Sequence, residues 1–181
     1  MDTTFKTVKS SYITISELML PSHTNFSGKI HGGYILSLLD QIAFACASKF
    51  SGNYCVTASV DTVNFLSPIE VGELVTMKAS VNYVGRSSMI IGIRVEAENI
   101  QTGVVKHCNS SYFTMVAKDK DGKSIPVPGL IISNLEEVRR FSNCLKQIDL
   151  KKERDIHEEI FNYNSDEAIA NLSKYNVLLE L

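Results

Sequence analysis

Residues 29–47 read Lys-Ile-His-Gly-Gly-Tyr-Ile-Leu-Ser-Leu-Leu-Asp-Gln-Ile-Ala-Phe-Ala-Cys-Ala. The apolar content of this stretch predicts a helix from Gly32 to about Phe50. A helix that is apolar nearly all round is normally buried, so the rest of the chain must wrap around it. Asp40 is the one charged residue between Tyr34 and Ala47. Burial of a carboxylate is costly unless the protein uses it, which makes Asp40 the first candidate for a functional residue.

The polar residues of this helix have two interpretations. Ser37, Asp40, Gln41, Phe44 and Ser48 lie near one stripe, because neighbours three and four positions apart share a helical face. This stripe can simply face water, which is the usual state of Asp. Alternatively, it carries a site, and the paired glycines at the helix start favour this because they let a ligand approach the backbone closely. The pattern leaves both interpretations open.

Segments on both sides of the helix have the alternation of β-strands. The strand candidates are Ser11 to Met19, Val56 to Phe65, Leu74 to Val84, Ser88 to Glu98 and Val104 to Val116. Short connections between the last three favour antiparallel pairing. Prolines at 126 and 128 predict the end of the sheet region, because proline is excluded from central strands. The predicted fold class is α+β, with a curved antiparallel sheet wrapped around one long central helix.

Length and charge limit the organisation and the partners. The chain has 181 residues and a formal net charge of -2, which fits one domain plus an extension and gives no strong field for nucleic acid. We predict a sheet-and-helix domain over residues 1–130 and a helical extension over residues 131–181. Within the extension, Leu135, Val138, Phe141, Leu145 and Ile148 recur near helical spacing. This apolar stripe is expected to dock on the core or on a neighbouring subunit, and Asp166 to Leu181 is expected to form a further helix.

The lack of a recognisable targeting signal and the spacing of the cysteines favour a cytoplasmic protein. No uncharged apolar run reaches the ~18 residues of a membrane span, and the N-terminus lacks the apolar core of a signal peptide. The cysteines at 46, 55, 108 and 144 are too far apart for zinc-type pairs. We therefore expect reduced thiols, no metal and no membrane span.

Several motifs together resemble the hotdog-fold acyl-CoA thioesterases, above all the broad-range bacterial acyl-CoA hydrolases and their cytosolic animal relatives. The similarity covers about residues 11–130. The combination is specific, whereas His-Gly-Gly alone is a weak signal. The matching segments are Pro21 to Gly28, His31-Gly32-Gly33, Leu39-Asp40, Val60-Asp61 to Pro68, Val84-Gly85-Arg86-Ser87-Ser88 and Pro126-Val127-Pro128.

This resemblance implies a hotdog fold and hydrolysis of acyl-CoA to free coenzyme A and a carboxylic acid. It implies a homodimer with active sites at the interface, often assembled into hexamers as trimers of dimers. Asp40 and Asn25 match the catalytic positions and would enter one site from different protomers. Arg86, Ser87 and Ser88 match the segment that contacts coenzyme A, although an exposed Arg in a hairpin turn is an equally good interpretation. Asn64 is expected to line the cleft.

The residue chemistry fits thioester hydrolysis. Amides of Gly32 and Gly33 at the helix N-terminus are donors that can stabilise an oxyanion, and Asp40 can act as a general base or a nucleophile. His31 is expected to cap the helix start. The reaction needs no cofactor, because coenzyme A is part of the substrate. Two rival functions remain: a hotdog hydratase or dehydratase acting on hydroxyacyl thioesters, and a non-catalytic acyl-CoA sensor.

Overall fold

A computed structural model describes residues 4–160 and 165–178 of the chain. The chain divides into two compact units, Met1–Cys144 and Leu145–Leu181. The strands are β1 (Phe5–Thr7), β2 (Ile13–Leu18), β3 (Tyr54–Val60), β4 (Glu73–Val84), β5 (Ser88–Asn99), β6 (Val104–Lys118) and β7 (Gly129–Ile131), and the helices are α1 (Gly32–Ser51), α2 (Leu135–Ile160) and α3 (Asp166–Asn171). The predicted domain boundary at Leu130 stays a prediction.

Five strands form one antiparallel sheet in the order β2-β4-β5-β6-β3. The sheet curls around α1, which confirms the predicted α+β class and its central helix. Apolar side chains alternate along the strands, and those facing α1 are fully buried, as Val75 and Ile91 illustrate. The helix contributes its own apolar side to this core through Ile35, Leu39, Ile42, Cys46 and Phe50, each at most 1% exposed.

Both ends of α1 are set by local hydrogen bonds. The Nδ1 atom of His31 accepts a hydrogen bond from the Gly33 amide at 2.9 Å, which confirms the predicted helix cap. At the other end, Gly52 adopts a left-handed backbone with φ of 75° and donates its N–H to the Ser48 carbonyl. Such a residue ends a helix at little cost because glycine has no Cβ.

Strand β3 ends earlier than the sequence predicts. Its alternation predicts a strand from Val56 to Phe65, whereas β3 ends at Val60. A bulge between Thr57 and Ser59 breaks the register with β6. Residues 61–66 still follow β6, because the Asp61 amide donates to the Tyr112 carbonyl and the Leu66 amide to that of Cys108, at 3.0 and 2.9 Å.

A two-stranded parallel sheet between β1 and β7 was not predicted. Phe5 pairs with Gly129, immediately after the proline-rich segment that was expected to end the sheet region. The five-stranded sheet does end before that segment. Strands of three residues are too short to show a clear alternation in the sequence. Their pairing also requires glycine at position 129, because a Cβ there would lie 2.5 Å from the Phe5 ring.

The beginning of α2 packs differently from the sequence prediction. Leu135 and Val138 are 86% and 46% exposed, whereas Glu137 is buried. The buried carboxylate is used in a cap: Glu137 Oε2 accepts from the Ser133 amide at 2.7 Å, and Asn134 Oδ1 accepts from the Glu137 amide at 3.0 Å. This reciprocal cap provides acceptors for backbone N–H groups at the helix start that would otherwise have none.

In its described residues, the second unit contains the rest of α2, α3 and a 3-10 turn. The helix expected from Asp166 to Leu181 is shorter in the structure, because α3 ends at Asn171 and the turn covers Leu172–Lys174. Residues 179–181 of that prediction lie outside the described residues. Of the helices described, none combines the length and the apolar character needed to cross a membrane. All four cysteines are free and buried.

Candidate functional site

Asp40 lies on the side of α1 that its own sheet leaves uncovered. Its neighbours along this side, Leu36 and Phe44, are 38% and 39% exposed. Asp40 is also exposed, while Leu39 beside it is fully buried in the core. Within one chain, the polar stripe therefore faces outward. Because the stripe also presents large apolar side chains, it has the character of a surface that contacts a ligand or another protein.

Thr57 holds the carboxylate of Asp40 in one orientation. Its Oγ1 donates a hydrogen bond to Asp40 Oδ1 at 2.5 Å, a length typical of a hydroxyl bound to a charged carboxylate. Thr57 lies in β3, directly before the bulge. The bond occupies Oδ1, and the hydrogen bonds described for residues 4–160 do not use the other carboxylate oxygen, Oδ2. Sequence reasoning missed Thr57, because a threonine in an alternating strand is unremarkable.

Asn25 organises the loop before α1 through its side-chain oxygen. Asn25 Oδ1 accepts from the Ser27 amide, the Ser27 hydroxyl and the Lys29 amide at 2.9, 2.8 and 3.2 Å. These bonds do not use the side-chain NH₂ group, so Asn25 can still act as a donor. Phe26 at the tip of this loop is fully exposed. Among the hydrogen bonds of the described residues, none joins Asn25 to Asp40.

The amides of Gly32 and Gly33, both predicted as oxyanion donors, differ in whether they already donate a hydrogen bond. The Gly33 amide is engaged, since it donates to His31. The hydrogen bonds described for residues 4–160 do not use the Gly32 amide. The ring of Phe65 covers this position, 3.4 Å from where a Cβ on Gly32 would be. Gly32 is therefore the stronger candidate donor, at the positive end of the α1 dipole.

An aromatic stack fixes the loop and the helix start together. The rings of His23 and Tyr34 are stacked with centroids 4.0 Å apart. The Tyr34 hydroxyl donates to the Glu17 carboxylate of β2, and this bond raises the pKa of Tyr34. His23 in turn accepts a hydrogen bond from the Leu20 amide. The stack thus ties the Asn25 loop to the sheet and to α1.

The predicted coenzyme A segment is a hairpin turn between β4 and β5. Its backbone is fixed, because the Gly85 amide donates to the Ser88 carbonyl at 2.8 Å and the Arg86 carbonyl accepts from the Val127 amide at 3.0 Å. The Arg86 side chain is exposed. Ser87 accepts through its carbonyl from the Ala117 amide. A fixed turn with an exposed guanidinium agrees with both interpretations of Arg86.

Asn64 lies in the extended segment that follows β3. Its side chain is exposed, and its carbonyl accepts a hydrogen bond from Asn109 Nδ2 at 2.9 Å. Asn109 itself is fully buried in β6. The same segment carries Phe65, whose ring lies against Gly32. The structure therefore places Asn64 next to the residue that covers the start of α1.

Comparisons with known proteins agree on one family. The model of the thioesterase superfamily matches residues 27–104. Protein VdlD of Helicobacter pylori is 41% identical over 83% of this chain and 86% of its own length. The uncharacterized acyl-CoA thioester hydrolase YkhA of Bacillus subtilis is 32% identical over 83% of this chain and 88% of its own length.

Solved structures show the same fold at similar identity. An apo-hexameric acyl-CoA thioesterase superposes with a TM-score of 0.82 at 35% identity, covering 84% of this chain and 97% of that chain. The acyl-CoA hydrolase of Staphylococcus aureus in complex with butyryl coenzyme A, coenzyme A and coenzyme A disulfide gives 0.78 at 28% identity, covering 93% and 99%.

Three single-residue variants of the Staphylococcus aureus hydrolase also superpose, with TM-scores of 0.79, 0.81 and 0.78. They replace an aspartate, an asparagine and a threonine by alanine. In that protein the aspartate follows the asparagine by 15 positions, and the threonine follows the aspartate by 17.

Proposed function

Since this chain belongs to the hotdog-fold acyl-CoA thioesterases, we propose that it hydrolyses acyl-CoA thioesters to free coenzyme A and a carboxylic acid. The observation that carries the mechanism is the hydrogen bond from Thr57 to Asp40 on the open side of α1. It holds a carboxylate in a defined orientation on a surface that a second protomer can cover.

Sequence spacing supports the assignment of three site residues. Asp40 follows Asn25 by 15 positions and Thr57 follows Asp40 by 17, as do the residues replaced in the Staphylococcus aureus hydrolase. Asn25 and Asp40 were candidates from the sequence. Thr57 joins them here as a positioning residue that acts through Asp40.

In the proposed reaction, Asp40 Oδ2 takes a proton from a water molecule as the water oxygen attacks the thioester carbon. The carbonyl oxygen becomes negatively charged and is stabilised by the Gly32 amide, which in comparable sites contributes about 3 kcal/mol. Gly33 supports this donor through the His31 cap. The C–S bond then breaks and coenzyme A leaves as a thiolate, which needs no metal and no further cofactor.

The alternative within the same site is direct attack by Asp40 Oδ2 on the thioester carbon. This step would form a mixed anhydride with the acyl group, and water would then hydrolyse it. Both routes use the orientation supplied by Thr57. Only the anhydride route can place water oxygen in Asp40: after a single turnover in ¹⁸O-water, label in Asp40 shows that an anhydride formed and was hydrolysed at the aspartyl carbon.

A homodimer completes the proposed site. The NH₂ group of Asn25 remains available to a thioester or a water molecule, and in one chain it makes no described hydrogen bond to Asp40. Asn25 and Asp40 of different protomers would form each site. The exposed side of α1, with Leu36 and Phe44, and the exposed Phe26 supply apolar area for that interface. Assembly of dimers into a hexamer follows the apo-hexameric thioesterase.

Arg86, Ser87 and Ser88 are proposed to bind the phosphates of coenzyme A. A guanidinium suits phosphate because it forms paired, charge-assisted hydrogen bonds, and the turn that carries Arg86 is fixed by Val127 and Ala117. Asn64 is proposed to line the cleft between this turn and the start of α1. We propose a cytoplasmic location, in keeping with free, buried cysteines.

Release of free thiol from acyl-CoA substrates of increasing chain length tests this function. Turnover of one or more lengths by the purified protein is the expected result. Dehydration or hydration of a hydroxyacyl-CoA without thiol release would instead identify a hotdog hydratase or dehydratase. Tight acyl-CoA binding with neither reaction would identify a sensor.

A further inference from the structure

One aromatic ring joins the start of α1 to the segment that follows β3. The Cε2 and Cζ atoms of Phe65 lie 3.4 Å from where a Cβ on Gly32 would be, so the ring packs against the first residue of the helix. Phe65 is nevertheless 48% exposed. About half of this side chain therefore remains open, beside the amide that we propose as the oxyanion donor.

Hydrogen bonds to β6 hold the backbone on both sides of this ring. The segment that carries Phe65 follows β6 from Asp61 to Leu66, and the amides of these two end residues donate to carbonyls of β6. Between the ends, Asn109 Nδ2 donates to the Asn64 carbonyl at 2.9 Å. This carbonyl belongs to the peptide group that joins Asn64 to Phe65, so the side chain of Asn109 fixes the backbone directly before the ring.

A bulge in β6 brings Asn109 to this position. The pairing of β5 with β6 shifts after Val95, which pairs with Asn109, and Cys108 is the extra residue of β6. Consecutive side chains of a regular strand point to opposite sides, whereas Cys108 and Asn109 are both fully buried. Bulges beside active sites commonly redirect a side chain in this way.

Asn109 is a costly residue at a buried position. It lies on the same side of β6 as Phe113 and Met115, which belong to the apolar core. Among residues 4–160 and 165–178, its Oδ1 has no hydrogen-bond partner, and an unsatisfied buried acceptor lowers stability. The packing of the core therefore does not account for an amide here. What the amide contributes is its hydrogen bond to Asn64, which holds the residue before Phe65.

The position of the ring has a chemical consequence for the Gly32 amide. A carbonyl oxygen that accepts from this amide lies about 3 Å from its nitrogen, where the thioester also contacts the ring packed on Gly32. Water competes for the same donor, and a hydrogen bond to a developing negative charge is stronger where water is excluded. A phenyl ring excludes water because it has no polar atom.

We propose that Phe65 is a further substrate-contacting residue of the thioesterase site and that Asn109 is a positioning residue that acts through it. Phe65 packs against the bound thioester and keeps water from the Gly32 amide while the carbonyl oxygen becomes negatively charged. Asn109 fixes the backbone at Asn64 and thereby the place of the ring. This inference rests on the proposed function, because it requires the Gly32 amide to be the oxyanion donor.

Thiol release from acyl-CoA by folded variants of the assembled protein tests the role of Phe65. Phe65→Ala uncovers the Gly32 amide and lowers kcat by about tenfold, the loss expected when one hydrogen bond to a charged group is weakened by water. Phe65→Leu still covers the amide and retains most of the rate. Leu66→Ala is the matched control, because Leu66 is the next residue of the same segment and is 62% exposed; this variant keeps the unaltered kcat.

A double variant tests the role of Asn109 with a readout that a general loss of stability does not imitate. Asn109→Leu removes the hydrogen bond to Asn64 at similar size, and Asn109→Ala replaces it if the leucine variant does not fold. Either change lowers kcat about as much as Phe65→Ala does. Combined with Phe65→Ala it causes no further loss, because both changes act through one ring.

The results separate a failure of this inference from a failure of the proposed function. Unaltered protein that releases thiol from no acyl-CoA overturns the proposed function and, with it, this inference. An active protein whose folded Phe65→Ala variant keeps the unaltered kcat overturns the role of Phe65 and leaves the proposed function standing. Losses that multiply in the double variant overturn the positioning role of Asn109.

Discussion

Replacing Thr57 by valine removes one hydroxyl and keeps the shape of the side chain. In the structure this hydroxyl donates to Asp40 Oδ1 at 2.5 Å. A hydrogen bond to a charged group contributes about 1.5 to 3 kcal/mol. If the bond is needed to orient the carboxylate in the transition state, its loss lowers kcat by about 10- to 150-fold. KM for acyl-CoA should change little, because Thr57 acts through Asp40.

Thiol release at saturating acyl-CoA measures this effect, and thermal unfolding shows that the variant is folded. Thr57→Ser keeps the donor and should retain most of the activity. Thr76→Val is the matched control, since its hydroxyl pairs with Ser16 on the other side of the sheet and has no part in the proposed site. A folded Thr57→Val protein with the kcat of the unaltered enzyme would refute the positioning role.

Three further predictions concern substrate binding, assembly and charge. Arg86→Ala should raise KM for acyl-CoA by about tenfold but leave KM for the acyl-pantetheine thioester unchanged; an equal rise for both substrates would contradict phosphate binding by Arg86. Mixing inactive Asn25→Ala and Asp40→Ala proteins should restore part of the activity, because each hybrid dimer contains one intact site; no recovery after demonstrated subunit exchange would argue against shared sites. Lys78 and Arg94 lower the pKa of Glu96 from 4.5 to about 2, so Glu96 stabilises the fold above pH 4.5 and this contribution is lost as the pH falls towards 2. The Tm difference between the unaltered protein and Glu96→Gln should shrink over that range, and a difference independent of pH would refute this.

The architecture was predictable because its signals are local. The apolar content of α1 predicted a buried central helix, and the alternation of the segments around it predicted the strands that wrap it. The His31 cap could also be predicted, since a side chain at a helix start has few other partners. These features depend on residues close together in the sequence.

Features that depend on distant residues were missed. The bulge beside Thr57 shortened β3, and its position follows from pairing with β6. The pair β1–β7 needs Phe5 to lie over Gly129, 124 positions later. Leu135 and Val138 were expected on the packed side of α2, yet they are exposed, and a cap formed with Ser133 buries Glu137 instead.

The candidate site was predictable in part for the same reason. Asp40 and Asn25 became candidates because of a charge in an apolar helix and a resemblance of motifs, and their roles stay predictions. The bond from Thr57 joins two elements and has no local signal. The cavity lined by Lys78, Arg94 and Arg139 could not be predicted from the sequence, because these residues come from three elements and meet only after folding.

The turnover of Asp40→Asn tests the central claim most directly. This change keeps the size of the side chain and its bond from Thr57 but removes the group that takes a proton or attacks the thioester. We predict a loss in kcat of at least ~100-fold, with acyl-CoA affinity and Tm close to those of the unaltered protein. Turnover near the unaltered rate in a folded Asp40→Asn protein would contradict the account.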